Sequence, residues 1–275
     1  MLRKGDLTQG GITGTLLHFT LPMMVGSFLQ QCYNIADTLI VGQCIGAGAL
    51  AAVGSAYTLM VFLISVLLGL AMGSGTVFSL HYGAGNHVAL RRSIFSSFVL
   101  IGIVTLILNV AVFIWLDPIL RLLQVPQDIY GMMRSYSWII FCGIVFTFIY
   151  NFYASLLRAV GDSVTPLWFL AVSVVLNIAL DLFFILQLDW GIQGAAAATV
   201  LAQGVAALGI IIYTYRRRPE LRWHHEDMCF DRTCLKEIAS FSTLTCVQQS
   251  VMNLGILMIQ GLVNSFGTAV MTAFA

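Results

Sequence analysis

The chain has 275 residues, of which 59% are hydrophobic and 9% charged, whereas a soluble domain carries about 25% charged residues. So little charge excludes an ordinary water-soluble surface, and a formal net charge of +1 gives no reason to expect nucleic acid as a partner. Seven apolar runs follow one another along the sequence, each near the roughly 20 residues that a spanning helix requires. The expected fold class is therefore all-α, a polytopic membrane helical bundle with about seven transmembrane helices.

In chain order, a segment 1–14 precedes a six-helix lobe over 15–215, a basic connection over 216–237 and one further helix within 238–275. The first run covers about 15–41 and holds Pro22. Arg3 and Lys4 precede it, but it is too long, and too polar in its second half, for a cleavable signal. The second run, about 50–80, contains Gly69, Gly73 and Gly75, spaced for close helix contact. The others lie near 93–116, 135–157, 164–188, 192–215 and 238–263. Six cysteines are scattered without a disulfide pattern. His224 and His225 followed by Cys229 and Cys234 lack zinc-site spacing and read as solvated connection residues.

Lysine and arginine placement sets the orientation, because cytoplasmic connections carry their excess. With the amino terminus inside, eleven basic residues fall on the cytoplasmic side and only Arg121 and Arg134 outside. The run Arg216–Arg217–Arg218 reads as a topology anchor. Helices 1 and 5 then both start inside, and at about 1.5 Å per residue Asp37 and Asp181 reach the outer half of the membrane. Thr199 reaches the same depth from the opposite side.

An aspartate near the centre of a spanning helix costs roughly 2.5 to 3.5 kcal/mol on insertion scales, so it needs an inward-facing reason. Gln30, Tyr33, Asn34 and Asp37 stand at i, i+3, i+4 and i+7, a single polar stripe. Ser173, Asn177 and Asp181 are spaced by four, as are Thr199 and Gln203. Each amide or hydroxyl alone is adequately explained by a bond to a neighbouring backbone. Two acids at one depth shift the balance towards an ion or substrate path. A weak collinear repeat relates Gln30–Gln31 to Gln248–Gln249, so a second, parallel unit is expected to begin with the seventh helix.

The residues resemble the multidrug and toxic compound extrusion (MATE) family. The resemblance rests on Leu21–Pro22, on Ala36–Asp37 with Val41–Gly42, on Tyr82–Gly83–Ala84–Gly85–Asn86 before Arg91–Arg92, and on Arg158–Ala159–Val160–Gly161–Asp162 before Pro166. Asn177 to Asp181 and Gly194–Ala195–Ala196 before Thr199 complete it. It implies two six-helix lobes around a cavity, and export of cationic or amphipathic compounds across the cell membrane in exchange for sodium ions or protons. By position, Asp37, Asn177, Asp181 and Thr199 match the cation-coupling site. Tyr33 and Gln30 match cavity-lining positions; Asn34, Ser173 and Gln203 are added to the lining from helical spacing. No cofactor is implied beyond the coupling ion. The family pattern has about twelve helices, so a chain of seven is expected to be a truncated member, a partner-requiring half or a self-associating one.

Other readings are a lipid or lipid-linked saccharide flippase, which should have a more basic cavity, and an intramembrane enzyme. Gly161–Asp162 has Ala159 where an aspartic protease motif needs glycine. Gly73–Ser74–Gly75 has no histidine beside it in an apolar helix. An enzyme is not expected.

Overall fold

The computed structural model describes residues 12–223, 227 and 232–274, and these are almost wholly helical, with no strand among them. Arg3, Lys4, His224, His225 and Cys229 lie outside the described residues. The helices are α1 (Ile12–Cys44), α2 (Ala47–Gly83), α3 (His87–Leu122), α4 (Gln127–Cys142), α5 (Ile144–Ala159), α6 (Val164–Leu182), α7 (Gly191–Arg217), α8 (Arg232–Ser265) and α9 (Thr268–Phe274). The seven sequence runs thus correspond to α1, α2, α3, the α4–α5 pair, α6, α7 and α8. Among the described residues five helices are long and apolar enough to cross a membrane, and the α4–α5 pair makes a sixth.

One expected element differs. The fourth run is two helices bent by 48° about Gly143, where a Cβ would lie 2.5 Å from Val200 Cγ2 on α7. Hydropathy cannot register a bend that comes from this close approach.

Turn chemistry fixes the other boundaries. Asn86 caps α3 by accepting from the Ala89 amide at 3.0 Å. The Asp162 carboxylate accepts from the Thr165 amide at 3.0 Å and the Thr165 hydroxyl at 2.9 Å, which starts α6. Pro166 sits in the first turn of α6, where a missing N–H costs nothing. Directly after α6 the chain widens into a π-helical turn, Phe183–Gln187.

Lipid is as apolar as a leucine side chain, so helix association here depends on close packing and polar contacts. An aromatic cluster joins α2, α3 and α5, with Phe98 5.3 Å from both Phe148 and Phe152, and Phe78 5.9 Å from Phe152. The stretch after α7 folds back on the same cluster, placing Trp223 5.4 Å from Phe98 and 5.9 Å from Phe95. Arg218, from the basic run expected to anchor topology, is buried and bonds Asp162 at 3.4 Å and Glu220 at 3.3 Å.

The largest helix contact is α2 against α8. A Cβ on Gly73 would lie 2.3 Å from Ser242 Cα, and one on Gly69 2.4 Å from Cys246 Cα. Gly73→Leu is expected to destabilise the chain by about 1–3 kcal/mol through overpacking. Thermal unfolding in detergent checks this against Gly131→Leu, where nothing lies within 4 Å of the added Cβ; equal midpoints would refute the crossing.

Candidate functional site

The site lies where α1, α6 and α7 meet. α1 packs along α6, and α6 along α7, so Asp37, Asp181 with Asn177, and Thr199 arrive from three helices. All four are buried: Asp181 is 0% exposed, Asn177 1%, Thr199 5% and Asp37 8%. The carboxyls of Asp37 and Asp181 are close enough to interact directly. Asn177 Nδ2 donates to the Thr199 hydroxyl at 3.3 Å, and the same hydroxyl pairs with the Tyr33 hydroxyl at 3.3 Å. The π-helical turn begins two residues after Asp181, and such turns recur at functional sites.

What the arrangement leaves undone is informative. With both acids ionised, Asp37 Oδ1, both carboxylate oxygens of Asp181 and Asn177 Oδ1 are buried and accept no hydrogen bond; a proton on either acid would let the two carboxyls bond each other. Buried polar groups are ordinarily paired, and an unpaired one costs about 1–3 kcal/mol, more when charged. Unpaired acceptor oxygens gathered in this way are the chemistry that a small hard cation or a proton would satisfy. Among the described residues no group of three His, Cys, Asp or Glu could hold a metal ion.

The remaining candidates separate. Gln30 is exposed, and Ser173 is half-buried. Asn34 donates to Tyr57 on α2 at 3.0 Å. Tyr33 and Asn34 sit on opposite flanks of the α1 stripe, about 100° apart on the helix, so one reaches α7 and the other α2. Gln203 accepts from the Thr147 hydroxyl on α5, one turn along α7 from Thr199. Tyr136 on α4 was not legible as a site residue; it is buried and lies within electrostatic reach of Asp37, Tyr33 and Asp181. Its position at the start of an apolar run gave no sign of this.

A family model described as MatE matches residues 22–183, a segment that spans α1 to the end of α6 and includes Asp37, Asn177 and Asp181. The chain belongs to the MatE family. This is a family of transporters and not of enzymes. A probable multidrug resistance protein, YpnP of Bacillus subtilis (strain 168), is 33% identical over 280 residues, covering 99% of this MatE chain and 61% of that protein. The multidrug export protein MepA of Staphylococcus saprophyticus is 31% identical over 210 residues, or 74% of this chain and 45% of that one. Among solved structures, an outward-facing multidrug resistance MATE transporter superposes with a TM-score of 0.86 at 24% identity, covering 93% of this chain and 57% of that one. An inward-facing one gives 0.80 at 25% identity, with 94% and 59% covered. The MatE chain thus spans at most about three-fifths of the length of these relatives.

The unpaired oxygens should burden the cation-free protein. Asp181→Asn, which removes one of two like charges, is expected to raise its stability by about 1–3 kcal/mol in sodium-free alkaline buffer, where neither acid holds a proton. Denaturation in detergent with and without sodium checks this; a less stable variant that still responds to sodium like the wild type would contradict it.

Proposed function

We propose that this chain is the cation-coupling lobe of a multidrug exporter, exchanging sodium ions or protons for cationic or amphipathic compounds across the cell membrane, with its amino terminus in the cytoplasm. The observation that carries the reading is the set of four buried, unpaired acceptor oxygens on Asp37, Asn177 and Asp181. It is supported by relatives whose names describe multidrug resistance and export. The length of those relatives relative to this chain also supports a requirement for a second lobe, supplied by a longer chain, by a partner or by a second copy.

The mechanism follows from charge. Two adjacent carboxylates in a low-dielectric bundle repel strongly when both are ionised. A proton on one of them relieves this, as does a sodium ion held by the carboxylates with Asn177 Oδ1 and the Thr199 hydroxyl. An organic cation brings the same neutralisation. The two therefore compete for one site, and competition is the thermodynamic basis of exchange. The coupling ion drives movement only to the extent that it binds one packing of the helices better than the other. The named site residues carry oxygen and no basic group, which favours a cationic over a phosphate-bearing substrate.

The test is equilibrium binding of tetraphenylphosphonium to the chain in nanodiscs, together with dye efflux in cells. Sodium or acid should weaken binding competitively. Asp37→Asn and Asp181→Asn should each reduce both readouts by about tenfold or more, equivalent to about 1.4 kcal/mol. Asp117→Asn, which breaks an exposed 2.8 Å ion pair with Arg134, should leave both unchanged. Binding that is indifferent to both inner acids would refute the assignment.

A further inference from the structure

The end of the bundle where α1 finishes and α7 begins holds an open cavity of about 670 Å³, lined by Ile45, Met132 and residues 189–193. Small-molecule sites have volumes of this order. Ile45, Asp189 and Gly191 each stand eight residues along the chain from Asp37, Asp181 and Thr199, or about 12 Å of helix. The cavity is therefore a separate place from the paired acids.

Two other aspartates at this end are already engaged. Asp117 accepts from Arg134 at 2.8 Å and from the Tyr130 hydroxyl at 2.9 Å, and Asp128 accepts from the Thr268 hydroxyl at 2.5 Å. Asp189 is exposed, and among the described residues no hydrogen bond or ion pair engages its carboxylate. Beside it, Trp190 stacks on Phe184 of the π-helical turn, with ring centroids 5.1 Å and planes 23° apart, yet remains 52% exposed. The Trp190 amide donates to the Phe184 carbonyl at 3.1 Å, which holds the indole in place. Left-handed backbone on both sides, φ 52° at Asp189 and 54° at Gly191, makes the turn tight, and aspartate is among the few side chains that accept this conformation.

A free carboxylate and a fixed aromatic face suit one class of ligand. An organic cation meets the charge of the first and the quadrupole of the second, while Met132 and Ile45 offer contact to its alkyl or aryl groups. A hydrated metal ion gains little from one exposed carboxylate in water, which supplies few of the oxygens such ions require. An aromatic anchor at the lipid interface needs only its ring. The unengaged carboxylate and the cavity in front of it are what point to a ligand.

We propose that Asp189 and Trp190 form a second organic-cation site, which takes a quaternary ammonium or phosphonium compound without displacing the ion at Asp37 and Asp181. Which side of the membrane it faces rests on the proposed orientation; the site itself does not.

The test labels the chain with fluorotryptophan in nanodiscs and titrates it with benzyltrimethylammonium, following the fluorine resonance that Trp190→Phe removes. That resonance should shift saturably, with the same midpoint in sodium and in potassium chloride. Asp189→Asn, which keeps a side chain tolerant of left-handed backbone, should raise the midpoint by about three- to fivefold, the worth of an exposed ion pair. Asp117→Asn should leave the midpoint unchanged, and uncharged benzyl alcohol should give no saturable shift. A Trp190 resonance that stays still, responds equally to benzyl alcohol or ignores Asp189→Asn overturns the site. A midpoint that moves with sodium overturns its independence from the inner acids. An intact Trp190 response alongside tetraphenylphosphonium binding that ignores Asp37→Asn and Asp181→Asn supports this site and refutes the coupling reading instead.

Discussion

Asp37 and Asp181 meet inside a helix bundle with three of their four carboxylate oxygens buried and unpaired among the described residues. Removing an uncompensated charge from water costs several kcal/mol even after relaxation, and a second charge of the same sign adds to that. Such a pair persists only if something arriving from outside neutralises it. The surrounding helices are arranged accordingly: α1 and α6 bring the acids together, and the Thr199 hydroxyl is held in place by Asn177 and Tyr33. Under the proposed function, instability in the empty site is what would give a bound cation its influence over the helices.

That influence needs a scaffold with parts that stay together and parts that do not. Aromatic rings from α2, α3 and α5 interlock at 5.3 to 5.9 Å, and Trp223 with the buried Arg218–Asp162 pair closes one end. These contacts leave little freedom. The bend at Gly143 and the π-helical turn after Asp181 depart from regular helix geometry. Both lie near the site: the π turn follows Asp181, and Thr147, just past the bend, bonds Gln203 one turn from Thr199.

The helical membrane architecture was legible because a charge deficit and seven apolar runs have few other physical solutions. The acids were legible for the complementary reason, since a carboxylate in an apolar run is costly wherever it points. Asn177 and Thr199 followed from depth and spacing. Contacts set by the angle around a helix were not legible: Tyr33 and Asn34 share a stripe in sequence but diverge to α7 and α2. Gln203 finds Thr147, and Tyr136 comes within electrostatic reach of the acids, through the packing of α4 and α5, which no single-helix pattern encodes. The bend at Gly143 and the pairing of Gln260 and Asn264 with α2 likewise depend on which helix lies opposite.

The proposed exchange depends on one cation being displaced by another at a shared carboxylate pair. The most direct measurement is the release of protons or sodium when tetraphenylphosphonium binds to the purified chain, followed with a pH indicator in weak buffer and with radioactive sodium. About one cation should leave per organic cation bound, by electroneutrality in a low-dielectric site, and the release should vanish in Asp181→Asn. Binding that proceeds with no proton or sodium released would contradict it.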